Sequence, residues 1–182
     1  LAILSNAMDY GRWRHAAPSF LGVPYRDPDA VAVLYRALLE ATALAARANL
    51  ELIEAAFGVR PAEVLFGGGA ARSGTWTRIL AGVLGRPVVV PETAAPTSLG
   101  TAACAAVGAG AFPDVTAARA AIDVPTRVVE PDAGTAGPYD DLMGRWTAAY
   151  DHELELVRDG VVRPMWRAPW QGDEGAGEGD ER

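Results

Sequence analysis

The sequence predicts an α/β domain. Three observations carry that expectation: long stretches with apolar residues at helical spacing, short apolar runs bounded by glycine and proline, and regular alternation of the two. A chain of 182 residues, half of them apolar, is long enough for one compact domain with a real core. The order helix, strand, helix, strand, helix implies a sheet with at least its last two strands parallel.

Taken in order, the first 26 residues read as an irregular loop packed on a surface, because Tyr10, Trp13, Phe20 and Tyr25 are separated by Gly11, Pro18, Gly22 and Pro24. Asp27-Pro28 supplies a cap and a first-turn proline for a long helix. Its apolar residues Val31, Leu34, Leu38, Ala41, Leu44, Ala45, Ala48 and Leu52 form one buried face until Phe57-Gly58. Glu63-Val-Leu-Phe66 is a short strand, expected to be buried on both sides. Trp76, Ile79, Leu80, Val83 and Leu84 mark a second helix that Gly85 stops, and Pro87-Val-Val-Val90 is a second buried strand. Thr97 and Ser98 are placed to cap a third helix from Leu99 to Val107, whose alanines allow close packing on a neighbour. Thr126 to Val129 reads as a third strand. A last helix runs from Pro138 through Leu142, Trp146, Tyr150, Leu154 and Val157 to Gly160. The domain is expected over residues 1–170. In residues 171–182, Asp173, Glu174, Glu178, Asp180 and Glu181 stand against Arg182 in a glycine-rich stretch with too little apolar surface to order itself, and a disordered acidic tail is expected there.

Composition excludes several classes of function. The formal charge is -7 with no basic stripe, which argues against nucleic acid as a partner. The sequence contains no lysine, so a Walker A loop, a Schiff base and a protein-kinase ion pair are all ruled out within this chain. The single cysteine, Cys104, permits neither an internal disulfide nor a cysteine-rich zinc site, and its apolar surroundings suggest a small core residue. No window approaches the roughly eighteen apolar residues of a membrane span and no signal peptide is visible, so no membrane partner and a cytoplasmic location are expected. The start at Leu1, inside an apolar run, suggests a piece of something longer. His15 and His152 cannot make a metal site without carboxylates that the sequence does not place beside them, and they read as surface or packing residues. Ser73 lacks the glycine frame of a hydrolase elbow. Glu40 and Glu51 read as solvated, and Trp13, Trp146 and Tyr150 as packing residues.

The strongest local feature is Val64-Leu-Phe-Gly-Gly-Gly-Ala-Ala-Arg-Ser-Gly-Thr-Trp76, a strand that runs through glycines into a helix. Ligands bind α/β sheets beyond the carboxyl ends of strands, where a helix amino terminus offers free N–H groups and glycine lets a flat ring or a phosphate reach the main chain. The same spacing also suits a tight turn that uses glycine only for its backbone angles. It is not a dinucleotide fingerprint, since Arg72 stands where a third glycine is required.

Leu65 to Pro91, followed by Ser98-Leu-Gly-Thr-Ala-Ala, strongly resembles the adenosine-binding segment of the FGGY carbohydrate kinases: glycines, an aromatic, Leu-Ala-Gly-Val, Gly-x-Pro-Val and a Leu-Gly-x-Ala helix follow in order. The flanks, Asn6 to Phe20 and Arg145 to Pro169, look most like the autoinducer-2 kinase branch, which acts on a linear dihydroxypentanedione. Xylulose- and glycerol-kinase-like members are the alternatives. The resemblance implies an actin-like ATPase, ribonuclease H-like fold, of which this chain is the incomplete carboxy-terminal lobe. It implies ATP with Mg2+, a sugar-like substrate and an amino-terminal lobe as partner. It places Gly68, Gly69 and Ala70 against adenine and ribose, turns Ser73 toward the nucleoside, and allows Arg72 to approach a phosphate.

By the same resemblance, the catalytic groups are expected to be missing: the phosphate hairpin of the form Asp-x-Gly-Thr, the second phosphate hairpin and the aspartate base. Ala95, followed by Pro96, stands where members often carry an acidic residue. Loss of the first strands of the fold would leave a hydrophobic sheet edge, and with it a marginally stable chain or a homodimer. A non-catalytic nucleotide-binding or oligomerisation module is the competing function.

Overall fold

The computed structural model describes residues 1–4, 16–93 and 95–164. The expectations placed on Tyr10, Trp13, His15, residues 165–169 and the acidic tail lie outside them. Two compact units are formed, one by Leu1–Gly58 with Asp141–Arg182 and one by Val59–Asp140.

In the first unit, β1 (Ala2–Ile3) pairs antiparallel with β2 (Ser19–Phe20), in a segment whose composition suggested only a loop. Two-residue strands are too short to show a period, and their partners lie sixteen or more positions apart in sequence. Ala2 and Ile3 are buried against α1 (Ala30–Phe57). That helix starts after a turn in which Asp27 Oδ1 accepts the N–H of Asp29 at 2.8 Å. It ends at Gly58, whose φ of 66° is the left-handed cap that favours glycine. Its buried residues, Leu39, Ala41, Ala43, Leu44, Ala45 and Ala48, do not form the single stripe expected. The middle of α1 is covered on several sides and its ends are open, with Val31 80% exposed. Arg36 and Glu40 at 2.6 Å, and Arg47 and Glu51 at 2.8 Å, form i,i+4 ion pairs, so the two glutamates are not merely solvated. On α5 (Ala136–Arg158), Trp146 and Tyr150 are buried and stacked, with ring centroids 5.0 Å apart, as their reading as packing residues requires.

The second unit is built on a three-stranded sheet of order β3-β4-β5, with β3 at Val64–Leu65, β4 at Val88–Pro91 and β5 at Thr126–Val129. β3 and β4 are parallel, and α2 (Gly74–Leu84) is the single helix that carries the chain back between them. The parallel pair is the one that the alternation implied, whereas β5, for which it implied no direction, runs antiparallel to β4. One helix returns the chain to the opposite end of a sheet, whereas α3 (Pro96–Gly108) and α4 (Val115–Ala120), packed on each other, bring it back to the end it left. β3 is not buried on both sides: it is an edge strand, and Leu65 is 68% exposed.

α3 begins at Pro96 rather than Leu99, so Thr97 and Ser98 fall inside its first turn and the cap position is held by Ala95, with no side-chain cap. Only Ala103 of this helix is buried, and Cys104 is exposed rather than in a core. The helix that suggested close packing through its alanines packs on α4. α4, which the sequence reading missed, is capped by Asp114, whose Oδ1 accepts the N–H of Ala117 at 2.8 Å.

Candidate functional site

The site lies where β3 hands over to α2. Phe66 donates its N–H to Val89 O at 2.9 Å, which is the last rung before the glycines. Gly67 packs toward Pro96 and Pro91, with the position of a Cβ 3.6 Å from Pro96 Cγ. Gly68 has φ +94°, a conformation that L side chains rarely adopt, so one glycine of the run is required by its backbone. Gly69 is different: its angles, φ -59° and ψ -41°, suit any residue. Among the described residues, and apart from the chain neighbours, no atom lies within 4 Å of a Cβ built at either position. The space beside the two glycines, where side chains would stand, is therefore open, and the tight-turn explanation accounts for Gly68 but not for Gly69.

Ala70–Arg72 form a single 3-10 turn. Ser73 is the N-cap of α2, its Oγ accepting the N–H of Trp76 at 3.3 Å. Arg72 is exposed at the rim. The structure thus brings Gly68, Gly69, Ala70, Arg72 and Ser73 into one turn at the amino terminus of an eleven-residue helix, whose free N–H groups favour electron-rich ligands.

Two supporting residues escaped the sequence reading. Thr77 is fully buried, and its hydroxyl donates to Ser73 O at 2.9 Å, with Ala71 O at 3.4 Å. Arg127, on β5, donates from Nη2 to Ala71 O at 3.0 Å across 56 residues of sequence. Thr77 could have been suspected, as a hydroxyl four residues after a cap. Nothing in the sequence ties Arg127 to the turn.

The letters Asp-x-Gly-Thr do occur, at Asp132-Ala-Gly-Thr135, although the reading above expected no counterpart of that motif. The structure shows no hairpin there. Asp132 Oδ1 accepts the N–H of Gly134 at 2.9 Å and the Thr135 hydroxyl donates to Asp132 O at 2.7 Å, a capping turn at the start of α5. The match is one of letters alone.

Among the described residues, no group of three or more His, Cys, Asp or Glu is placed to hold a metal ion, and no helix is long and apolar enough to cross a membrane. His152 lies on α5 beside Glu155, its Nδ1 3.3 Å from Oε2, on an exposed face.

The sequence pattern of the C-terminal domain of the FGGY family of carbohydrate kinases matches residues 11–109, more than half of the chain. The chain belongs to the FGGY family. Among FGGY relatives, the autoinducer-2 kinase of Enterobacter sp. (strain 638) is 38% identical over 171 residues, which make up 93% of this chain and 32% of that protein. The autoinducer-2 kinase of Escherichia coli (strain K12) is 36% identical over the same shares. The solved xylulose kinase of Rhodospirillum rubrum is similar with a TM-score of 0.63 and 30% identity, over 79% of this chain and 28% of that one. The α/β fold is therefore that of the FGGY sugar kinases, and the chain spans about a third of the length of the curated relatives it matches.

Proposed function

We propose that the chain is the nucleotide-binding lobe of an ATP-dependent carbohydrate kinase, which works with an amino-terminal lobe to transfer the γ-phosphoryl group to a hydroxyl of a sugar-like substrate. The observation that carries this is the open turn at Gly68 and Gly69, beyond the end of β3 in a chain of FGGY membership. Adenine and ribose fit against Gly68, Gly69 and Ala70, where no side chain intervenes. Ser73 retains its hydroxyl hydrogen for the nucleoside while its oxygen caps α2. Arg72, exposed in the same turn, is the residue that approaches a phosphate of the bound nucleotide.

Bound ATP brings the phosphoryl group itself, and the residues of this chain contribute binding and orientation of its adenosine end. The described residues do not fit a resident Mg2+, so the ion comes with the phosphates and the partner lobe. The relatives named for autoinducer-2 favour a linear dihydroxypentanedione as substrate, ahead of a xylulose- or glycerol-like polyol. A cytoplasmic enzyme without nucleic-acid or membrane partners completes the proposal.

The test uses Gly69, where a side chain meets neither strain nor a neighbour. Gly69→Leu is expected to leave hydrogen exchange of the α2 amides unchanged and to weaken ATP binding, measured by calorimetry, more than about tenfold. Equal affinity in the two proteins would sink the cradle. Sugar phosphorylation by these 182 residues alone would overturn the assignment of this chain to binding rather than chemistry.

A further inference from the structure

We propose that Arg127 is a positioning residue that holds the glycine turn in its open, ligand-accepting shape. Ala71 is 3% exposed, and its carbonyl falls between two hydrogen-bonding frames. The 3-10 turn ends with Ser73 N donating to Ala70 O, and the α2 ladder begins with Thr77 N donating to Ser73 O. Among the described residues, no backbone N–H donates to the oxygen of Ala71. A buried carbonyl without a donor is costly, so something outside the turn has to supply one.

Arg127 does so. It sits opposite Val90 in the antiparallel register of β4 and β5, on the sheet face that also carries Val88 and Val90, both buried, and it reaches Ala71 O at 3.0 Å. Thr77 Oγ1, at 3.4 Å from the same oxygen, is bonded more closely to Ser73 O at 2.9 Å, so the guanidinium is the principal donor. A charged donor makes the stronger bond. The consequence is mechanical: the last strand of the sheet clamps the middle of a turn whose preceding glycines, 68 and 69, have no described neighbour within 4 Å on their Cβ side. Without the clamp, the hydrogen bonds left to Ala70–Arg72 among the described residues are local ones of 3.1 to 3.4 Å. The effect on nucleotide binding rests on the cradle reading above, whereas the effect on the turn does not.

The experiment compares the full 182-residue chain with its Arg127→Met and Arg127→Lys variants. In the absence of nucleotide, Arg127→Met is expected to speed hydrogen exchange of the Ala71, Arg72, Ser73 and Thr77 amides about tenfold, with the interior of α2 at Leu80 to Leu84 unchanged. Arg127→Lys, which keeps a charged donor, recovers most of the protection. Calorimetry with adenosine and with ATP is expected to show the same fold-loss for both ligands in Arg127→Met, because the residue acts through the turn and not on a phosphate. Unchanged exchange of the four amides overturns the proposal, as does an affinity loss confined to ATP. So does a uniform rise in exchange across α2, since that marks a stability role only. If the unsubstituted chain binds neither ligand, the cradle reading fails by itself, and the exchange result still decides what Arg127 does.

Discussion

Gly82 shows at the residue scale what a short motif can conceal. It belongs to the Leu-Ala-Gly-Val block that carried the family resemblance, and its role is steric. A Cβ there would stand 2.8 Å from Tyr139 Cε2 and 3.0 Å from Thr135 Oγ1. Tyr139 is buried, so it has little room to withdraw. Gly82→Ala is expected to destabilise the second unit by about 1–3 kcal/mol through overpacking, read as faster exchange of the most protected α2 amides. Thr77 gives a milder case. Its two acceptors have other donors, Thr77 N for Ser73 O and Arg127 for Ala71 O, so Thr77→Val leaves neither unsatisfied. A loss of about 1 kcal/mol is expected in urea unfolding of that variant. Residue pattern alone drew attention to Gly68 and Ser73, whose roles are local. It drew none to Tyr139 against Gly82, because that contact joins residues 57 positions apart.

At the scale of elements, α3 is the helix that the sequence placed least well. Thr97 and Ser98 are good capping residues, and local propensity puts the start just after them. The structure starts the helix at Pro96, whose fixed φ suits a first turn, and leaves Ala95 at the cap with no side chain to accept from the turn. Ala95→Asp is therefore expected to stabilise α3 by about 1 kcal/mol, with slower exchange of the Ser98 and Leu99 amides. No change in those amides would mean that the start of α3 is fixed by something other than its cap. By contrast α2, with an apolar face and a terminal glycine, was legible except for its serine cap. Gly85 takes the left-handed angle expected of it, and Ser73 caps the first turn. β5 was also found at its true bounds, but its direction was not. Direction depends on how many helices separate two strands, and α4 is six residues long with a period too short to recognise.

Across the whole molecule, the sheet of the second unit is the unfinished part. Val64 N and Phe66 N bond to β4, which turns the N–H of Leu65 to the free edge of β3. Leu65 and Val128, on the face opposite the buried Val88, are 68% and 53% exposed. An apolar edge of this kind is a template for another strand. In a dilute monomer, the Leu65 amide is expected to exchange rapidly while that of Phe66 is protected. At rising concentration the chain is expected to self-associate by sedimentation, and Leu65→Lys to abolish that association. Full protection of Leu65 in a dilute monomer would show the edge to be closed already.

The alternation of elements, the helix stops at Gly58 and Gly85, the positions of the three sheet strands, the glycine turn and membership of the kinase family were all readable from the order of residues. All of these follow from interactions within a few residues, or from a pattern shared with relatives. Tertiary structure alone decided that β5 is antiparallel, that β3 is an edge, that Cys104 lies outside a core and that Arg127 reaches the turn. Those outcomes depend on which distant segments come to lie side by side, and the free energy of such contacts is set by packing geometry that no local spacing records.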